Sequence, residues 1–185
     1  FWTSDDSDAC ERMFIQYGTS MVMPASSMGA HVSVSPNHQC GRITSLDSRA
    51  FIAMCGTFGY EMDVSKMPEE EKQRSREHIE IFKRVRDVIH KGNMYRLRSP
   101  FDGNYCAFQY VSEDKNRSVL VFSTVLTHPN SEEFRLKLDG LDPLGTYTEK
   151  NSGITYSGAV LMNVGMARTS GSDFSSQMYE FERIK

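Results

Sequence analysis

The sequence predicts an α/β half followed by an all-β half, and three observations carry that reading. Up to about residue 92, short apolar runs alternate with helical patterns, as strand–loop–helix units do. From Asn93 the helical period vanishes, and short alternating runs follow, punctuated by Gly140, Pro143, Gly145, Gly153 and Gly158. The chain has 185 residues with 39% hydrophobic content, which is enough for one domain, or two small ones, with a real core. The expected division is 1–92 and 93–185.

Taken in order, residues 1–4 read as the end of a strand. Residues 9–17 have helical spacing through Ala9, Met13 and Tyr17, with Asp8 as N-cap and Gly18 as the stop. Residues 19–24 read as a short buried strand interrupted by Pro24, and 26–44 as a long polar loop. Residues 46–55 have a helical pattern, and 57–64 read as another strand. The strongest helix signal comes next. Pro68, Glu69, Glu70 and Glu71 suit a first turn, and Lys83, Arg84, Arg86 and Lys91 load the C-terminal half. Ile79, Phe82, Val85 and Ile89 form its apolar stripe, widened by Ile81 and Val88, and Gly92 ends it. Such a face must be covered, most simply by a sheet.

In the second half, residues 105–111 and 118–126 flank Ser112-Glu113-Asp114-Lys115-Asn116, a hairpin turn. Residues 134–138 and 177–184 alternate apolar and polar side chains. The result is antiparallel β, a small sandwich. Tyr105, Phe108, Tyr110, Tyr147 and Tyr156 serve better as a buried sheet face than as a sugar-binding platform.

Composition excludes several classes. Lys plus Arg total 21 against 24 Asp plus Glu, a net charge of -3, with no basic surplus for nucleic acid or an anionic membrane. No apolar run approaches the roughly 18 residues that a membrane span needs. Cys10, Cys40, Cys55 and Cys106 form no CxxC pair, so free thiols in a reducing cytoplasm are expected. Cys10, His31, His38 and Cys40 lack the spacing of a zinc site, and no metal is expected. The methionines, Met21, Met23, Met54 and Met62 among them, read as core filler.

The densest chemical signal is Trp2-Thr3-Ser4-Asp5-Asp6-Ser7-Asp8, with three carboxylates at a strand-to-helix junction. In a βα barrel that junction lies on the face where active sites are built. Crowded carboxylates repel, so at least one should hold its proton more tightly, as a general acid does. Trp2 offers an apolar face for a sugar ring. The ordinary alternative is that these acids cap a helix, as Asp8 is expected to do.

Here the sequence resembles a known family. Trp2-Thr3-Ser4-Asp5-Asp6-Ser7-Asp8-Ala9-Cys10-Glu11-Arg12 and Ile15-Gln16-Tyr17-Gly18-Thr19-Ser20 are similar to the late-barrel segment of bacterial α-galactosidases of glycoside hydrolase family 36. The likeness continues through Ser27-Met28-Gly29-Ala30-His31-Val32-Ser33, Pro36-Asn37-His38-Gln39, Gly41-Arg42 and Gly56-Thr57-Phe58-Gly59-Tyr60-Glu61. It implies the last strands and helices of a (β/α)8 barrel over 1–92, then a C-terminal antiparallel β domain. It also implies a retaining hydrolase that removes terminal α-linked galactose from melibiose- and raffinose-type sugars. Such enzymes use two carboxylates, one as nucleophile and one as acid/base. The Asp directly after Ser is the family's acid/base, here Asp5, with Asp6 the weaker candidate. Trp2, Asp6, His31, Asn37 and His38 are the candidate substrate contacts. For His31, His38, Asn37 and Arg42, a purely structural role in the loop is the stronger expectation.

The family's nucleophile lies in a Lys-Trp-Asp string that is absent here, where Trp2 is the only tryptophan. A Cys- and Gly-rich sugar-holding loop is absent too. The chain opens on Phe1-Trp2 without an initiator Met, as if inside an element. The expectation is a C-terminal fragment, inactive alone, whose partners are the rest of the enzyme and α-galactoside oligosaccharides. The resemblance further implies a homo-oligomer and no cofactor. Transfer of galactose to a sugar acceptor, and a non-catalytic sugar-binding or assembly module, are the alternatives.

Overall fold

The computed structural model describes residues 1–130, 134–168 and 171–185. Its first half contains α1 (Ala9–Thr19), β1 (Val32–Ser33), α2 (Leu46–Met54), β2 (Tyr60–Glu61) and α3 (Glu69–Lys91). Each helix start follows from its sequence. The Asp8 carboxylate accepts the N–H groups of Cys10 and Glu11, each at 3.0 Å. Ser45 Oγ accepts from the Ser48 N–H at 3.1 Å and opens α2. Pro68 precedes α3, whose first turn holds Glu69, Glu70 and Glu71 and whose last turn holds His90 and Lys91.

Several expectations are corrected. Gly18 does not stop α1, which runs on to Thr19 and is capped by Ser20. Residues 19–24 are no buried strand. The N–H groups of Ser20, Met21 and Val22 turn back onto the carbonyls of Gln16, Gly18 and Thr19, which leaves them unable to join a ladder. Met21 and Val22 are accordingly exposed, at 58% and 81%. The 26–44 stretch is not all loop, because it contains β1, and the 57–64 strand shortens to β2. Residues 1–4 are not part of a strand; Gly29 N–H donates to Phe1 O at 2.7 Å and ties them to their neighbour.

β1 and β2 run parallel, with Val32 opposite Tyr60 and Ser33 opposite Glu61. The segments 1–3, 28–33 and 57–61 therefore lie side by side in chain order, and each is followed by a helix. The approach is close. A Cβ on Gly56 would sit 2.7 Å from both Met28 O and the Ala30 Cβ.

The second half is antiparallel. Its strands are β3 (Asn93–Arg98), β4 (Tyr105–Val111), β5 (Arg117–Thr124), β6 (Phe134–Leu136), β7 (Thr146–Glu149), β8 (Thr155–Ser157), β9 (Met166–Arg168) and β10 (Ser175–Arg183), with α4 (Gly158–Asn163) between β8 and β9. Six strands form one sheet in the order β3-β4-β5-β10-β7-β8, and β6 pairs with β9. The expected sandwich is thus lopsided, with a full sheet on one side and β6, β9 and α4 on the other. Period-two alternation gives the large sheet two apolar faces. Phe108, Tyr110, Val119, Val121 and Met178 join a core with Phe82, Val85, Val88 and Ile89 of α3. Leu120, Phe122, Tyr147 and Phe181 join a second core with Leu136, Leu138 and Leu161. Each such side chain contributes about 1.5–3 kcal/mol by leaving water. Tyr105 and Tyr156 are half-buried at the edge of this second core.

The α3 stripe differs from the expectation at one position. His78, fully buried, takes the inward place, and Ile79 is 37% exposed. The halves are also joined by polar contacts. Tyr110 Oη donates to Cys55 O at 3.3 Å, Ser176 N–H donates to Ser48 Oγ at 2.9 Å, and Arg84 makes a two-pronged bond with Glu180 at 2.9 and 2.6 Å. Among the described residues, no helix is long and apolar enough to cross a membrane.

Candidate active site

Asp5 sits just past segment 1–3, where the chain turns toward α1, and it is exposed. Trp2 Nε1–H donates to Asp5 Oδ1 at 2.8 Å, and Gln39 Nε2–H donates to the Asp5 main-chain oxygen at 3.0 Å. Asp5 Oδ2 takes no hydrogen bond among the described residues. The three carboxylates of the string are separated by their partners. Asp6 Oδ1 accepts the Asp8 N–H at 2.9 Å. Asp8, 2% exposed, caps α1 and is paired with Arg42. Of the three, Asp5 is exposed, Asp6 is half-buried and Asp8 is buried.

Trp2 is 54% exposed, and one face of its indole lies on the His31 imidazole, with centroids 4.9 Å apart and planes 18° apart. His31 Nε2 contacts the Glu61 carboxylate at the end of β2. Burial holds the imidazole below its ordinary pKa, with Arg12 acting in the same direction and Glu61 opposing. Arg12, 2% exposed, reaches across from α1 to donate to Gly29 O at 2.5 Å and Ser4 O at 3.5 Å. Its charge is attracted by Asp6 and Glu61, while burial lowers its pKa.

The loop after β1 closes under Asp5. Asn37, 5% exposed, accepts from the N–H groups of Gln39 and Cys40 at 2.9 and 3.2 Å and donates to Ser7 Oγ at 3.2 Å. Gln39 Oε1 in turn accepts from Ser7 N–H at 2.9 Å. Burial pushes the Cys10 thiol up to about 11, so it is a poor nucleophile.

The tertiary structure therefore brings Trp2 into contact with both Asp5 and His31 and leaves Asp6 beside them as a turn-former. It places Asn37 beneath the loop as an organiser. His38 is exposed and makes no hydrogen bond or ion pair among the described residues. Glu61, Gln39 and Arg12 were not singled out as site residues by sequence reasoning. Gln39 directly follows the candidate Asn37-His38 pair, and Glu61 ends the Gly56–Glu61 string, so only their partners were hidden.

Two family models match in tandem, one described as Melibiase over residues 1–92 and one as the glycosyl hydrolase family 36 C-terminal domain over residues 105–181. Among curated relatives, alpha-galactosidase AgaA of Geobacillus stearothermophilus is 44% identical over 185 residues, covering 100% of this chain and 25% of that protein. Alpha-galactosidase Mel36A of Lactobacillus acidophilus is 40% identical over 184 residues, 99% of this chain and 25% of that protein. A crystal structure of a variant of the Geobacillus stearothermophilus enzyme in complex with raffinose superposes with a TM-score of 0.94 at 42% identity, covering 98% of this chain and 25% of that one. A strand–helix segment joined to an antiparallel domain, matched in this order, defines the class as a segment of a glycoside hydrolase. The chain belongs to glycosyl hydrolase family 36. It spans about a quarter of the length of the curated relatives it matches.

Proposed function

We propose that this chain supplies the acid/base portion of a retaining α-galactosidase acting on terminal α-linked galactose of melibiose- and raffinose-type sugars. Residues 1–92 form the end of the catalytic (β/α)8 barrel in this reading, and 93–185 form the C-terminal β domain. The observation that carries it is Asp5, exposed at a segment end, with one carboxylate oxygen held by Trp2 and the other without a hydrogen bond among the described residues. The names of the relatives, and the raffinose in one of their structures, support the substrate class.

The nucleophile lies elsewhere in the longer enzyme. Its carboxylate attacks the anomeric carbon while Asp5 gives its proton to the departing glycosidic oxygen, so the C–O bond breaks as the galactosyl–enzyme ester forms. Asp5, now a carboxylate, takes a proton from water as that water attacks the same carbon and the ester breaks. Galactose leaves with its configuration retained, and Asp5 is protonated again. The Trp2 N–H occupies Oδ1, which leaves Oδ2 to face the glycosidic oxygen and hand over the proton. The four free thiols support a reducing compartment, which we take to be the cytoplasm, and we take the complete enzyme to be a homo-oligomer.

The test is Asp5→Asn in the longer enzyme. General-acid assistance is worth about 10²–10⁴-fold, so turnover of melibiose should fall by that order. Activated aryl α-galactosides, whose first step needs little protonation, should lose much less in that step. Equal losses on both would remove Asp5 from the role.

A further inference from the structure

Glu61, His31, Trp2 and Asp5 form a continuous chain of contacts running from the end of β2 to the candidate acid. We propose that His31 and Glu61 are positioning residues for Asp5, acting through the plane of the Trp2 indole. The proposal rests on the assignment of Asp5 as acid/base.

The argument begins with Trp2. A half-exposed tryptophan has room for several rotamers, and the one adopted places Nε1–H on Asp5 Oδ1. Two contacts select that rotamer. The N–H bond fixes the indole edge, and the stacked imidazole fixes its face. An imidazole does this only if its own plane is fixed. His31 has a side chain only 9% exposed, and its Nε2 lies in contact with the Glu61 carboxylate, so burial and that contact together hold the ring. Arg12 holds the main chain on both sides through Ser4 O and Gly29 O, and its charge lies near Glu61. Among the described residues, neither His31 nor Glu61 makes a hydrogen bond or ion pair with the Asp5 carboxylate, whereas Trp2 touches both Asp5 and His31, so the route between them runs through Trp2.

The experiment uses the longer enzyme carrying this segment, with His31→Ala, His31→Phe and Glu61→Gln beside Asp5→Asn. Misplacement of a catalytic group by about 1 Å costs up to about a hundredfold, so His31→Ala should lower kcat for melibiose by about ten- to a hundredfold with little change in KM. Activated aryl galactosides should be affected far less. His31→Phe keeps a ring beneath Trp2 and should recover most of the loss, and Glu61→Gln should fall between the two. A crystal structure of the His31→Ala enzyme should show Trp2 Nε1 beyond hydrogen-bond distance of Asp5. A Trp2–Asp5 bond that survives intact in that structure overturns the proposal. So does a loss confined to KM, or one equal on both substrates, when Asp5→Asn shows the leaving-group split. If Asp5→Asn shows no split, the assignment of Asp5 fails by itself, and the Trp2 geometry still decides whether His31 holds the indole.

Discussion

Asp47 on α2 and His78 on α3 lie 2.9 Å apart, carboxylate Oδ1 to imidazole Nε2, and the imidazole is fully buried between the helices. Arg74 on α3 completes the group, donating to the same carboxylate at 2.7 and 2.9 Å. The Asp47 carboxyl is held well below the usual carboxylate range, first by the bond to His78 and then by Arg74.

A depressed folded-state pKa gives stability that is complete above the unfolded value, about 4, and is lost as pH falls below it. Urea denaturation of the wild-type protein should therefore show a stability loss below about pH 4 that Asp47→Asn does not share. The effect should be modest, because 41% of the Asp47 side chain meets solvent, which screens it. Asp47→Ala at neutral pH strands a buried imidazole nitrogen and should cost about 1–3 kcal/mol. Identical pH profiles for wild type and Asp47→Asn would contradict the linkage.

Asp8 holds two N–H groups of α1 and the Arg42 guanidinium at once. Asp8→Ala should cost at least the roughly 1–2 kcal/mol of an N-cap. Asp8→Asn keeps an acceptor for the cap and should cost less. Thermal melts of the two variants measure the difference, and equal melting temperatures would show that the cap is not what Asp8 provides.

Gly92 and Gly18 should respond oppositely to alanine. A Cβ on Gly92 would lie 2.4 Å from Val88 O and 2.5 Å from Val111 O, both backbone atoms that cannot swing away. Its φ of -77° is ordinary, so proximity to β4, rather than left-handed backbone, demands glycine there. Gly92→Ala should destabilise by about 1–3 kcal/mol through overpacking. Gly18 lies within α1 with nothing within 4 Å of its would-be Cβ. Gly18→Ala should stabilise by about 0.5–1 kcal/mol. Chemical denaturation of both variants checks the two signs.

The 185-residue chain by itself should release no product from an activated aryl α-galactoside above background, because it holds no Lys-Trp-Asp string to supply a nucleophile. A sensitive fluorogenic assay on the purified chain is the measurement. Turnover that tracks the protein through purification and disappears in Asp5→Asn would mean the double displacement finds both carboxylates within this segment.

Much of this was legible in local sequence. α3 announced itself because a proline, three glutamates, an apolar stripe and a glycine all agree over 23 residues. The stripe was misread only at Ile79, because His78 looks polar in sequence and becomes a core residue only when Asp47 on another helix faces it. The 19–24 segment misled because Met21, Val22 and Met23 are apolar, while the turn is dictated by backbone bonds back to α1. Asp5 stood out through its string. Its neighbours Gln39, Glu61 and Arg12 did not, because their relation to it crosses loops, strands and a helix.

The sequence by itself determined α1, α2 and α3, the hairpin, the Asp8 cap and the family, since each depends on residues close together in the chain; α4, six residues long, left no such mark. Only the tertiary structure decided which of three adjacent carboxylates stays exposed and which ring lies under Trp2. Those choices turn on side chains 29 to 34 positions away, His31 from Trp2, Gln39 from Asp5 and Arg42 from Asp8, brought alongside by the parallel pairing of β1 with β2 and by the loop that follows β1. Local periodicity carries no record of such distances, and packing alone sets them.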